Sequence, residues 1–459
     1  MTDLAALPEF SEKITGGVVG PADAGYDEAR RVHNAMIDRR PALIARCATV
    51  ADVQTVLDVG RRSGLPIAVR GGGHNGPGFG TVDGGIVIDL SPMHAVEVDS
   101  QRRAATVQGG ATWRAVDAAT HEHGLATPSG IISSTGVGGL TLGGGHGYLS
   151  RQYGLAVDNL LGAEVVLADG TIVRASEDEH PDLFWALRGG GGNFGIVTSF
   201  TFRLHPVRNV ICGPTAWPIS AMGDVLKWYR DFLPAQDDDL YGFFAAMTVP
   251  PVDAFPEAFH LHKACAVMWC YLGDPAAADE AFAPVRAMQP AFDGIGEAPY
   301  PGLQSAFDGL YPKGLQWYWR GDFFRTIPDA AVDAHVRFSE DLPTMHSTMH
   351  IYPVDGAVNR IPTNDTAWAY RDATFSQVIV GVDPDPAKAA ELRQWTVAYS
   401  DATHPYSAGG AYVNFMMGDE GGDRLKATYG ENYDRLRQVK AAYDPHNLLR
   451  VNHNIPPAS

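Results

Sequence analysis

Apolar positions along this chain change period several times, and each change predicts an element. Val53, Val56 and Leu57 recur at helical spacing behind Thr49, whose side chain can cap a first turn, so a helix is predicted over TVADVQTVLDVGRRSG. PIAVR and IVIDL read as short strands, HAVEVD and RAATVQ alternate with period two, and ATWRAVDAATHEHG returns to helical spacing. In AEVVLADGTIVRAS two alternating runs flank Asp169-Gly170, a pair that accepts positive φ, so a hairpin is predicted. PDLFWALR is a short helix with proline in its first turn, and GIVTSFTFRL is a strand. Sequential short strands with few helices predict an α+β fold rather than a doubly wound parallel sheet.

After His205-Pro206 the glycine clusters give way to Trp, Tyr, Phe and Pro, so a boundary is placed near residue 206. Strand-like FSQVIVGV and helix-like DPAKAAELRQWTVAYS predict an antiparallel sheet backed by helices in this second region. Near the end, Tyr433, Leu436, Val439 and Tyr443 form one stripe of an amphipathic helix that Asp444-Pro445 closes.

Composition narrows the function. The 459 residues hold 53 acids and 35 bases, a net charge of −18, and no basic run that could neutralise a phosphate backbone, which argues against a nucleic-acid partner. The first residues carry Asp3, Glu9 and Glu12 without an apolar run of signal-peptide length, and nothing later approaches a membrane span, so a cytoplasmic protein is expected. Cys47, Cys212, Cys265 and Cys270 lack CxxC spacing and are expected to be small buried hydrophobes. If Cys265 and Cys270 share a strand, their odd separation points them to opposite faces. His346 and His350 have the spacing of a helical metal pair, but strand-like MHIYPV follows them and no third ligand is nearby, so no metal is expected.

Three glycine clusters stand out: residues 69–85, SGIISSTGVGGLTLGGGHG over 129–147, and RGGGGNFG over 188–195. Two contain GxGxxG, the nicotinamide-binding signature, yet neither has the strand before and helix after that hold a pyrophosphate. Bare amides in such loops can still form anion-binding nests, and three clusters together predict a large flat ligand lying close to the backbone.

Together with GAYVNF and YDPHNLLRVNHNI, these segments resemble the berberine-bridge-enzyme-like flavoprotein oxidases of the vanillyl-alcohol-oxidase superfamily, with 6-hydroxynicotine oxidases as a neighbouring branch. The resemblance spans nearly the whole chain. It implies a two-part, non-Rossmann FAD-binding domain (PCMH type) over 1–206, a substrate-binding domain over 207–406, and a segment over 407–459 that returns to the first domain. It further implies that His74, in RGGGHN, bonds covalently to the methyl carbon on the dimethylbenzene edge of the isoalloxazine. Many relatives add a cysteinyl link before the next glycine turn; here Ile131, Ile132, Ser133 and Ser134 occupy that stretch, so a single link is expected. By the same resemblance, Arg70, Gly71, Gly72, Gly73, Asn75 and Gly76 surround the attachment point. Ser134, Thr135, Gly136, Gly138, Gly139, Gly143 and Gly147 follow the pyrophosphate and flavin, Gly195, Ile196 and Val197 meet the adenine or ribose, and Asn414 and Asn452 close on the cofactor. His453 stands where the family's tail carries glutamine.

The resemblance also assigns catalysis. Tyr412, in Tyr412-Val413-Asn414, is the expected proton acceptor; a phenol with a pKa near ~10 needs help to serve as one at neutral pH. Arg320, Lys313 and Arg371 are candidate cations for that help. His146 is expected over the flavin face and Gln377 on a pocket-lining strand. The aromatic segments LYGFF, WYW and WAY fit an apolar or ring-bearing substrate. The implied activity is hydride removal from an alcohol or amine carbon of a small molecule, a sugar, an alkaloid-like compound or another natural product, to covalent FAD, with O2 as acceptor and hydrogen peroxide as product, in a monomer or homodimer. A dehydrogenase or oxidative cyclase of the same family, and a protein that only binds flavin and ligand, remain alternatives.

Overall fold

In the computed structural model, which describes residues 11–252 and 255–459, the predicted Thr49 cap is present as a capping box. Thr49 accepts from the Asp52 amide, Asp52 accepts from the Thr49 amide, and Gly64 ends the helix Val50–Ser63 at φ 69°. The helix buries Val53, Val56 and Leu57, each contributing about 1.5–3 kcal/mol over an exposed side chain. It joins two parallel strands, Leu43–Arg46 and Ile67–Arg70, with Ile86–Asp89 between them, the one parallel patch among the described residues of the α+β fold. The acidic first ten residues, read above against a signal peptide, lie outside the described residues.

A second, antiparallel sheet has the order Val96–Asp99, Ala104–Gln108, Ile196–Arg203, Leu160–Val166, Ile172–Ala175. Its last two strands are the predicted hairpin, with Gly170 at φ 91° in the turn. Phe200 and Phe202 of this sheet pack with Trp113, Trp185, Leu436 and Val439, so the C-terminal helix Tyr433–Tyr443 shares the core of the first region.

Every strand from Asn209 to Asp383 joins one eight-stranded antiparallel sheet. Its two faces differ, as the period of two dictates. One face carries Phe244, Val267, Trp269 and Ile379 under the helices Met222–Phe232, Asp329–Ser339 and Ala389–Thr403. The other carries Phe243, Met268, Tyr352, Val378 and Val380 toward the first region. Cys265 and Cys270 share the strand Lys263–Tyr271 and fall on opposite faces. From this sheet membership, and from the return of the tail to the first core, we propose the domain division 1–206, 207–406 and 407–459. No helix among the described residues is long and apolar enough to cross a membrane.

The second glycine cluster departs from expectation. Val137–Gly143 is a helix despite three glycines in seven residues. Tertiary contact overrides the unfavourable propensity of glycine at two of them, since a Cβ on Gly138 would stand 3.1 Å from the Gly109 carbonyl and one on Gly143 2.5 Å from the Asn414 side chain.

Candidate active site

Between the first region and the inner face of the large sheet lies a cavity of about 390 Å³. The glycine segments reach it by backbone contact. A Cβ on Gly72 would stand 2.4 Å from the Gly136 amide nitrogen, and one on Gly136 would stand 2.3 Å from that of Gly72. Those two loops cross main chain to main chain, which only glycine allows. Gly139 and Gly192 are bare for another reason: a Cβ on either meets nothing within 4 Å, and both face the cavity. They form a ledge open to a flat ligand, so the residues present fit FAD.

Gly139→Leu is therefore expected to leave the far-UV circular dichroism unchanged while lowering flavin occupancy at least tenfold, read as the ratio of visible to ultraviolet absorbance after purification.

Three buried polar groups hold the segments in place. Asn34 donates to the carbonyls of Gly76 (2.8 Å) and Trp317 (3.0 Å) and accepts from the Trp317 amide (3.0 Å), tying the first glycine loop to the large sheet. Arg70 pairs with Asp89 at 2.7 Å. Lys440, fully buried, donates to the carbonyls of Asn193 (2.7 Å) and Leu449 (3.0 Å) and to Asp444 (2.6 Å), fixing the third glycine segment against the tail. A buried cation without such partners would cost several kcal/mol, on the order of the penalty for an unpaired interior charge.

His74 stands in the wall of this cavity. Its ring stacks on His33 with centroids 4.0 Å apart, and Nε2 lies 3.3 Å from Ser134 Oγ. Nδ1 has no hydrogen-bond partner among the described residues. Burial, then His33, push the His74 pKa down to about 3, so the imidazole is neutral and its lone pair is available at neutral pH. His33 is likewise lowered, to about 4, by burial and then Lys313.

Tyr412 lies beside the helix Val137–Gly143. Its oxygen accepts from the Gly145 amide at 2.9 Å and from Asn414 Nδ2 at 2.8 Å. Asn414 Nδ2 also faces the carbonyls of Gly139 (3.3 Å) and Leu140 (3.2 Å). With two donors on the phenol oxygen, its own hydrogen is the group left to point elsewhere. Burial pushes the Tyr412 pKa up to about 12, while the two donors pull it down. The three cations considered for this role are engaged elsewhere: Arg320 with Asp419 (2.9 Å), Lys313 with Glu28 (3.6 Å) and Arg371 with Asp158 (2.7 Å). Neutral donors, not a cation, face the phenol oxygen.

His146 packs its ring 4.6 Å from Tyr412, 5.0 Å from Tyr352 and 5.4 Å from Phe415. Both of its nitrogens are buried without a partner among the described residues, and burial lowers its pKa to about 3.

Seventeen of the residues singled out from sequence line the cavity: Arg70, Gly71, Gly72, Gly73, His74, Asn75, Thr135, Gly136, Gly138, Gly139, His146, Gly195, Ile196, Val197, Tyr412, Asn414 and Asn452. Five do not. Gln377 lies on the strand Phe375–Asp383, but Val378 and Val380 take the cavity face; Gln377 points to the helix layer, where Nε2 bonds Thr403 Oγ1 at 3.3 Å. Gly143 is bare to admit Asn414, a Cβ there meeting its side chain at 2.5 Å. Gly76 lies under the Trp319 ring, and Gly147 packs on the carbonyls of Ser129 and Gly130. Ser134 lies behind His74 and touches its ring nitrogen. These four shape the wall from behind.

Sequence reasoning missed His33, Asn34, Lys440 and the pair His350–Tyr352, whose Nδ1 and Oη lie 2.6 Å apart on the cavity face of the strand Thr348–Pro353. The alternation in MHIYPV was the signal for that pair. The same alternation defines the face that carries both side chains, and His346 lies before the strand.

Residues 41–176 match the family model described as "FAD binding domain", and residues 411–456 match "Berberine and berberine like". An uncharacterized FAD-linked oxidoreductase of Bacillus subtilis, YgaK, is 30% identical over 97% of this chain and 98% of its own length. (R)-6-hydroxynicotine oxidase of Paenarthrobacter nicotinovorans is 31% identical over 97% of each chain. The solved structure of xylooligosaccharide oxidase from Myceliophthora thermophila, in complex with xylobiose, superposes with a TM-score of 0.85 at 25% identity, covering 99% of this chain and 100% of that one. The fold and cavity define an FAD-linked oxidoreductase. The chain belongs to the berberine-bridge-enzyme-like family of these flavoproteins.

Proposed function

We propose that this protein is an oxidase that removes a hydride from an alcohol or amine carbon of a small molecule, with FAD held covalently through His74 and O2 as the final acceptor. The observation that carries the reading is the doubly donated oxygen of Tyr412, buried at the cavity wall next to the glycine ledge. When bound, FAD supplies the hydride acceptor and the route of electrons to O2, which leaves as hydrogen peroxide.

The chain's own part is to position, exclude water and move one proton. Tyr412 Oη takes the proton from the substrate hydroxyl or amine as the C–H bond is lost. The Gly145 amide and Asn414 stabilise the phenolate form of that oxygen, and burial opposes it, so the proton-accepting form gains population as pH rises. The Gly139 and Gly192 ledge, with Asn452 at its rim, holds the cofactor, and the neutral His74 is its point of attachment. A single link is supported by the composition of residues 131–134 and by all four cysteines being buried outside the cavity lining. Two relatives bracket the reaction class: one is named for a hydroxynicotine, and one was solved with xylobiose.

The oxidase reading is tested by reacting the flavin-loaded enzyme with substrate in air. One peroxide per turnover, with O2 consumed at a rate equal to or above that of an artificial dye, is expected. Turnover with dye alone, without peroxide, would replace the oxidase by a dehydrogenase.

A further inference from the structure

Resting on the hydride-transfer reading above, the substrate end of the cavity can be taken further. The large sheet presents Trp317, Thr348, His350, Tyr352, Val378 and Val380 to it. Phe307, Tyr311 and Phe415 complete the wall beside Tyr412 and His146. The rings form a continuous network: Tyr311 to Trp317 at 5.4 Å, Tyr352 to Phe415 at 5.8 Å and Tyr412 to Phe415 at 4.9 Å.

Charge is missing from this wall. Among the described residues lining the cavity there is no Asp, Glu or Lys, and the one Arg, Arg70, lies in the first region with its charge paired to Asp89 through Nη2. The imidazoles add none near neutral pH, since burial takes His146 and His350 each to about 3. A cationic ligand would lose its hydration here without gaining a counter-charge, a loss that proteins normally avoid.

Hydrogen-bonding capacity is also sparse. Thr348 Oγ1 is already committed to the Ala246 carbonyl at 2.8 Å, and Tyr352 Oη shares its hydrogen bond with His350 Nδ1. When Nδ1 accepts from Tyr352, His350 Nε2 carries a hydrogen, and it is the ring atom without a protein partner. Polar groups can be met there, at Tyr412 and at the hydroxyl of Tyr311. A sugar ring, with a hydroxyl on nearly every carbon, would leave most of its groups unpaired against aromatic faces.

We propose that the substrate is an uncharged molecule with an aromatic ring beside its oxidisable carbinol carbon, the ring lying among Phe307, Trp317 and Tyr352 and a single polar contact made by His350. The carbinol hydroxyl faces Tyr412, and the flat ring gains area against flat walls. His350 is a specificity-determining residue in this arrangement.

The test is anaerobic calorimetry on the flavin-loaded enzyme, which reads binding without turnover. Three probes are compared: 2-naphthylmethanol, the protonated amine of the same shape, and xylobiose. The alcohol is expected to bind at least tenfold more tightly than the ammonium, and xylobiose to give no saturable heat. His350→Leu keeps the bulk and removes the donor; it is expected to weaken 6-(hydroxymethyl)-2-naphthol, whose ring hydroxyl His350 meets, about tenfold while leaving 2-naphthylmethanol, which lacks that ring hydroxyl, unchanged. Equal or tighter binding of the ammonium or of xylobiose would overturn the inference, as would saturable binding of none of the three, or an unchanged affinity for 6-(hydroxymethyl)-2-naphthol in His350→Leu. A protein that orders the probes as expected yet forms no peroxide with any carbinol would instead defeat the oxidase reading and leave this one standing.

Discussion

Tyr412→Phe is expected to lower kcat/KM by about 10²–10⁴-fold, the range for loss of a positioned acid or base. The variant keeps the ring that packs at 4.6 Å on His146 and 4.9 Å on Phe415, so the fold and the yellow colour persist. What disappears is the oxygen that two donors surround. The pH profile separates this from a packing defect. In the wild type Tyr412 begins as a phenol, its pKa pushed up by burial to about 12, so kcat/KM climbs with pH as the proton-accepting form gains population. In the phenylalanine variant that climb flattens. Steady-state kinetics between pH 6 and 10 read both, and an unchanged profile with a small loss in rate would remove Tyr412 from the proton transfer.

His74→Ala is expected to convert all flavin from the acid-insoluble to the acid-soluble fraction. The imidazole is poised for attachment by its neutral state and by the free Nδ1, with Ser134 and His33 holding the ring from two other sides. Because its pKa is depressed to about 3, the neutral form is present at any pH above that value, and attachment is expected to be as complete at pH 5.5 as at pH 8. In the variant the cofactor binds by mass action only. Its contribution to stability then depends on free FAD, about 2.7 kcal/mol at a hundredfold excess over Kd. Thermal midpoints rising with added FAD in His74→Ala, and indifferent to it in the wild type, would show the tether directly.

Which parts of this molecule could be read from sequence follows from which forces are local. The Thr49 cap, the Asp169-Gly170 hairpin and the opposite faces of Cys265 and Cys270 depend on neighbours within one element, and period and turn chemistry suffice for them. The helix Val137–Gly143 runs against propensity because Gly109 lies against Gly138 and Asn414 against Gly143, contacts from distant segments that no local rule contains. Gln377 failed for a subtler reason. The strand was identified correctly, but alternation alone does not say which parity faces helices and which faces the cavity; that is set by packing of the whole sheet. Asn34 and Lys440 act by spanning distant segments, so neither has a local signature beyond the i,i+4 spacing of Lys440 and Asp444. The glycines show both sides. Their clustering announced a large ligand, but Gly143, Gly76 and Gly147 are bare for protein contacts, and composition cannot separate these from the ledge at Gly139.

On the proposed function, the glycine segments converge on one FAD and His74 fastens it. Mass spectrometry of the proteolysed wild-type protein, precipitated with acid beforehand, tests this most directly. The peptide bearing His74 is expected to carry the mass of FAD and to keep its yellow colour. Recovery of that peptide unmodified, with flavin in the supernatant or on another residue, would contradict it.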